Sequence, residues 1–217
     1  MGLPVDRLPV DRTVADGTVA GTPRRLPNGE VVIRQGDPVT CLYFVTQGAV
    51  RLSAVTREGR EVVVAILGAG EVFGECALLG SPSPVEVRVL GRTDVVAMPV
   101  PLLRDVLERH PSTAEELLRL VASRLHRTAR ALGETLSSDV PTRLTQRLRD
   151  LAEEHGAPAA DGVQIQVPIT QEELGRMVGA SREAVNRTLG SFIAHGLVRR
   201  RGRTVVIPDP SALSAPP

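Results

Sequence analysis

The sequence predicts an α+β protein whose parts follow one another along the chain: a small all-β barrel, one long helix, then a helix pair closed by a hairpin. Three observations carry this. Between Arg24 and about Pro99, short runs of Val, Ile and Leu alternate with Gly, Pro and Asn turn signals. After Pro111, Leu118, Val121, Leu125, Thr128, Leu132 and Thr135 recur at spacings of three and four. Near the C-terminus, two short amphipathic stretches flank Gly179-Ala180 and lead into two β-branched runs around an Arg-Gly-Arg turn.

Composition narrows the function classes. A chain of 217 residues holds two modest domains. With no Trp and one Tyr, the cores must be built from aliphatic side chains. All 26 basic residues are arginines, yet the net charge is only +1, which argues against indiscriminate coating of a polyanion. The two cysteines, Cys41 and Cys76, lie far apart, excluding a four-cysteine iron–sulfur cluster and a disulfide framework. A reducing cytoplasm is the expected compartment. No apolar stretch approaches the roughly 18 residues of a membrane span, and the N-terminus lacks a signal-peptide core. G-x-S-x-G, H-E-x-x-H and phosphate-loop patterns are absent, and His110, His126, His155 and His195 are scattered, so no enzyme is expected.

Residues 1–23 mix Pro, Asp, Arg and Thr without periodicity and read as a flexible arm. In the barrel, expected over 24–110, strands are predicted at Val31–Ile33, Cys41–Val45, Ala49–Leu52, Val62–Ile66 and Val72–Phe73, with Gln47-Gly48 as a turn. The long helix, over 111–138, would span roughly 40 Å at about 1.5 Å per residue. Its three-four spacing is the seam of a dimeric coiled coil, placing Leu118, Val121, Leu125, Thr128 and Leu132 at the interface. Leu117, Leu120 and Leu136 form a second stripe suited to packing on the barrel. Asp139-Val140-Pro141 breaks the helix, because the residue before a proline resists helix. A hinge is expected there, with the last domain over 139–217. Thr142 to about His155 is a further amphipathic helix, Gly156–Gly162 a loop, and the tail from Pro208 frayed.

The C-terminal helices carry the chemistry. Thr170 and Glu173 make a T-x-x-E capping box, Gly179-Ala180 ends the first helix, and Ser181 caps the second. At about 100° per residue, Val185, Leu189 and Phe192 share one arc of that second helix, and Arg182, Glu183, Asn186, Arg187 and Gly190 the other. Arginine can grip guanine O6 and N7 with two parallel hydrogen bonds, and a carboxylate can accept from cytosine N4. From Arg182 to Ile207 there are six arginines and one glutamate, so positive charge gathers where phosphates would lie. A helix pair with a basic hairpin is a winged helix-turn-helix, and its expected partner is double-stranded DNA.

Taken together, the barrel, the dimer helix, the Asp139-Val140 hinge, Gly70-Glu71-Val72-Phe73-Gly74-Glu75 and Gly179 to Arg187 resemble the Crp/Fnr family of bacterial transcription regulators. The resemblance covers about residues 24–208. It implies a homodimer on a palindromic operator, with Arg182, Glu183 and Arg187 reading bases and Thr170, Ser181 and Arg203 holding phosphates. It also implies that the Gly156–Gly162 loop sits where activators of the family touch RNA polymerase. In cyclic-AMP-binding members, a Gly-Glu pair starts a short helix that holds the phosphate and ribose; Gly74-Glu75 matches it. Ser83 and Thr128 fall at two further effector positions.

The chain departs from the family where an Arg-Ser pair should grip the cyclic phosphate: Ser83-Pro84 stands there, and Ala129 follows Thr128. Losing a charged phosphate contact costs about 1.5–3 kcal/mol, a factor of roughly ten to a hundred in affinity. No cofactor is assigned; a cyclic nucleotide is the candidate effector, and cyclic AMP is expected to bind weakly or not at all. The alternatives are a cyclic-AMP-responsive regulator, a redox or haem sensor built on Cys76, and a nucleotide-binding module whose output is protein interaction.

Overall fold

The computed structural model describes residues 21–201 and 204–213. Residues 1–20 of the expected arm, Arg203, and the side chains of Thr135 and Leu136 lie outside the described residues. What is described falls into two compact units, one reaching to Arg127 apart from Glu61–Val63, the other comprising that segment and everything from Thr128.

The first unit is the barrel, with strands β1 (Thr22–Leu26), β2 (Val31–Ile33), β3 (Cys41–Val55), β4 (Glu61–Gly68), β5 (Val72–Phe73) and β6 (Glu86–Pro99). The short helix α1 (Cys76–Leu79) separates β5 from β6. Strands run in the order β1-β6-β3-β4, with β2 added on β6 and β5 on β3. Val50, Leu67, Phe73, Val87 and Val89 fill the interior, each such side chain contributing about 1.5–3 kcal/mol on burial.

One expectation changes here, and one segment left unread from sequence takes its form. Gln47-Gly48 is no turn, because β3 continues through it, with register shifts against β6 on either side of Gln47. Gly48 takes φ +84°, and a Cβ there would stand 2.4 Å from the Arg92 carbonyl, so the pair is a bulge where two backbones touch. Residues 100–109, unassigned from sequence, form α2 (Val100–Arg109). It opens with proline in its first turn, where the missing N–H costs nothing, and buries Leu103 and Val106. Leu117 of the long helix α3 (Pro111–Ser137) joins these in a cluster with Leu42, Phe44, Val72, Val96 and Met98. Leu120 packs against that cluster, as the second stripe predicts.

In the second unit, α4 (Val140–His155) begins at Asp139, whose side chain accepts from the Thr142 N–H at 2.9 Å. It buries Leu144, Leu148 and Leu151. Strands β7 (Gly156–Ala159) and β8 (Gly162–Ile165) form a hairpin where a loop was expected, their Gly, Ala and Pro content giving no strand signal. Helices α5 (Gln171–Val178) and α6 (Arg182–Ala194) follow, then β9 (Arg199–Arg201) and β10 (Thr204–Ile207). The four strands run β7-β8-β10-β9. The tail is also better anchored than expected, since Leu213 is completely buried. Among the described residues, no helix is long and apolar enough to cross a membrane.

Candidate nucleic-acid interface

The turn between α5 and α6 is built by short-range bonds. The Thr170 hydroxyl accepts from the Glu173 N–H at 3.1 Å, and the Glu173 carboxylate accepts from the Thr170 N–H at 2.7 Å, completing the capping box. The same hydroxyl donates to that carboxylate at 2.8 Å, so a phosphate contact through Thr170 must exchange this bond. At the other end the Ala180 N–H donates to the Gly175 carbonyl at 2.9 Å. A Cβ on Gly175 would lie 2.8 Å from the Ala180 carbonyl oxygen, so only glycine lets the turn fold back this closely. Arg143 on α4 donates to the Val178 carbonyl at 2.8 Å, satisfying an acceptor left over at the end of α5.

Helix α6 starts at Ser181, whose hydroxyl oxygen accepts from the Ala184 N–H at 3.2 Å. Its two faces divide as the helical wheel predicts. Val185, Leu189 and Phe192 are buried; Arg182, Glu183, Asn186, Arg187 and Gly190 are exposed. The Glu183 carboxyl is held below the usual carboxylate range by its own backbone N–H first and Ser181 next, with Arg182 adding to it. It is therefore an anion near neutrality and acts only as an acceptor.

Sequence reasoning missed Gln171. It opens α5, and its Nε2 donates to Asn186 Oδ1 across the two helices at 2.8 Å. No periodicity links residues on different helices, so only the packing of α5 against α6 reveals the pair. On the wing, Val205 pairs with Arg200 and Val206 with Arg199. Arg200 is exposed. Arg199 is partly committed to Asp161 in the β7–β8 turn, at 3.3 Å.

Of the effector residues, Gly74, Glu75 and Ser83 lie in the first unit, and Thr128 falls in the second. Gly74 and Glu75 precede α1, and the Glu75 carboxylate receives Arg124 from α3 at 3.1 Å. Arg124 also donates to the Val72 carbonyl, and Arg127 reaches Glu71 at 3.4 Å. These two arginines fell outside the sequence reading because they sit beside the apolar stripes. Ser83 is only 5% exposed, and its hydroxyl donates to the Val85 carbonyl at 2.7 Å, within its own loop. Arg88 is held by Glu86 and by the Gly29 carbonyl. Burial, then the neighbouring Glu75 charge, push the Cys76 thiol up, away from the thiolate that redox chemistry uses.

On α3 the predicted seam stands open. Leu118, Leu125 and Leu132, one heptad apart, are 68%, 66% and 61% exposed. Thr128 and its neighbour Ala129 are exposed as well. Val121 is half-buried against the barrel cluster and lies at the margin of the stripe.

A barrel followed by a long helix and a helix-turn-helix with a basic wing defines a class of DNA-binding protein with an attached sensory domain. A cyclic nucleotide-binding domain model matches residues 23–110, and a Crp-like helix-turn-helix domain model matches residues 142–215. The chain is 34% identical over 194 residues to the CRP-like cAMP-activated global transcriptional regulator of Mycobacterium tuberculosis, spanning 88% of this chain and 86% of that protein. It is 32% identical over 186 residues to the cAMP-activated global transcriptional regulator CRP of Haemophilus influenzae, spanning 84% and 82%. Among solved structures, the c-di-GMP responsive global regulator CLP of Xanthomonas campestris superposes with a TM-score of 0.74 at 29% identity, covering 91% of this chain and 98% of that one. FixK2 of Bradyrhizobium japonicum shares the fold, with a TM-score of 0.80 at 20% identity, covering 90% and 96%. The chain belongs to the Crp/Fnr family of transcription regulators.

Proposed function

We propose that the protein is a homodimeric transcription regulator that reads a palindromic DNA operator, with little or no dependence on cyclic AMP. The observation that carries it is the division of α6 into a buried apolar face and an exposed Arg182, Glu183, Asn186 and Arg187 face, behind a capped N-terminus. Such a helix presents base-reading side chains and a positive dipole end to the major groove together. Ser181, Arg203 and, after bond exchange, Thr170 take phosphates. Leu118, Val121, Leu125, Thr128 and Leu132 close the dimer and place two half-sites about one helical turn apart. Residues 24–110 serve as the sensory domain, 111–138 as the dimer helix and 139–217 as the reader, acting in the cytoplasm. The β7–β8 hairpin is the surface offered to RNA polymerase. Selection of bound sequences from a random duplex pool tests this: a two-fold-symmetric motif is expected, and an unsymmetrical or absent one rejects it.

Weak cyclic AMP dependence is supported by the loop at Ser83-Pro84. The Ser83 hydroxyl serves its own backbone, Pro84 has no N–H to offer, and Arg88 is engaged elsewhere. The second reading, a cyclic-AMP-responsive regulator, is favoured by the activated relatives and by the retained Gly74-Glu75 pair. The c-di-GMP responsiveness of CLP supports a third reading, a different nucleotide in a reshaped pocket. The raised Cys76 thiol gives no support to a redox switch at that residue.

A further inference from the structure

We propose that Arg130 and Asp150 latch the break between α3 and α4 and so set the half-site spacing that the protein accepts in an operator. The inference rests on the operator-reading dimer proposed above. Arg130 lies on α3, and its Nη2 donates to Asp150 Oδ1 of α4 at 2.5 Å. Asp150 also accepts from Gln146 Nε2 on its own helix, at 3.0 Å, and its side chain is only 6% exposed. The break falls at Asp139, between the two helices. At about 1.5 Å per residue, both members of the pair stand roughly 15 Å along their helices from it.

A bond that far from the break resists a rotation that a bond at the break would allow. A second clamp works at the break itself. Arg143 of α4 reaches back to the Ser138 carbonyl, while its Nε donates to the Val178 carbonyl at the end of α5. Two attachments, one near and one far, hold α3 at one angle to α4, where either alone would act as a pivot. A buried ion pair is a weak source of stability, because two charges must leave water to form it. What it contributes here is a defined geometry between two helices. From Thr128 onward α3 belongs to the second unit, and the exposed seam residue Leu132 lies on that segment. The angle between the reader and the end of the dimer seam is thus fixed inside one unit.

Each base pair added between two half-sites moves one of them about 3.4 Å along the duplex and roughly 35° around it. Latched readers meet one spacing; unlatched readers turn at the break to meet its neighbours. The bases read within each half-site stay the same, because neither Arg130 nor Asp150 belongs to α6. Asp150→Asn keeps the side chain's size and an oxygen for Gln146. It also frees Arg130 for Glu134, four residues along α3 and near enough for each charge to act on the other. That pair lies within one helix and leaves the break loose. Adding Arg130→Ala abolishes the latch without burying an unpaired charge, and alanine is a strong helix former.

The experiment starts from the two-fold motif that the parent selects from a random duplex pool. Competition binding then compares the full chain, Asp150→Asn and the double variant Arg130→Ala/Asp150→Asn. The duplexes carry the same half-sites at the selected spacing and at one base pair less and more. The parent should disfavour each altered spacing by about tenfold or more, the worth of one hydrogen bond to a charged group. The double variant should bind all three within about threefold of one another once that bond is gone, with Asp150→Asn between it and the parent. Random-pool selection should return the same half-site bases from all three proteins. A parent indifferent to spacing overturns the proposal. So does a folded variant, single or double, that discriminates as sharply as the parent, and so does a change in half-site bases. If the parent selects no two-fold motif, the operator-reading function itself falls, an outcome distinct from all of these.

Discussion

At the scale of single residues, the exposed face of α6 sorts side chains by the work they can do. Arg182→Ala should cost about 1–3 kcal/mol on the preferred operator and relax selection at one base pair, because a bidentate guanine contact is lost. Arg203→Ala should weaken every duplex about equally and reduce the slope of log affinity against log salt by about one, as expected of a phosphate contact. Fluorescence anisotropy on operator and random duplexes over a salt series separates the two, and equal losses from Arg182→Ala would remove it from base readout. The Arg182, Glu183, Asn186 and Arg187 arc was legible because a helix one turn in 3.6 residues sorts its faces by period alone. Gln171 was not, since its partner lies fifteen positions away on another helix.

At the scale of elements, α3 and the start of α4 make separate predictions. Three leucines at heptad spacing, all more than half exposed, form a stripe that a second copy would cover. Leu125→Glu or Leu132→Glu would set two like charges against each other across the symmetry axis. Monomers by light scattering and loss of operator binding are expected, since one half-site forgoes the avidity of two. Asp139 supplies a pH prediction. Hydrogen bonds from the Thr142 hydroxyl and N–H hold its carboxyl below the usual range. A depressed carboxyl stabilises the folded state above its unfolded pKa, and that contribution is lost as pH falls through the folded pKa. Asn caps helices as well as Asp but does not titrate. Between about pH 6 and pH 3, Asp139→Asn should therefore lose less thermal stability than the parent; equal losses would mean the cap contributes nothing on the acid side.

At the scale of the whole molecule, the question is how strongly the sensory unit governs the reader. Titration calorimetry with cyclic AMP should return a dissociation constant weaker than about 10 μM, where binding is worth under roughly 7 kcal/mol. Operator affinity should then shift by less than the roughly 5- to 150-fold of typical allosteric coupling. A ligand moves an equilibrium only through its differential affinity for the two states. Tighter binding with a clear gain in operator affinity would establish the cyclic-AMP-responsive reading. Some other arginine would then have to hold the phosphate, and Arg124 would have to release Glu75 to the ribose.

The amino-acid order by itself determined whatever depends on near neighbours along the chain. The capping box at Thr170, the cap at Ser181, the heptad of α3 and the two faces of α6 follow from spacing and capping chemistry within a turn or two. On the wing, β10 follows from its β-branched run Thr204–Ile207, whereas β9 is the arginine run Arg199–Arg201 and becomes a strand by pairing with β10. Only the tertiary structure decided what depends on contacts between distant segments. It made Gln47-Gly48 a bulge, because the Arg92 carbonyl lies against it. It made Gly156–Ile165 a hairpin, because β10 supplies the third strand that a Gly-Ala-Pro sequence cannot recruit by propensity. It brought Arg124 onto Glu75 and Gln171 onto Asn186, pairs 49 and 15 residues apart. Local order is written in periodicity; a contact between segments is set only when packing brings them together.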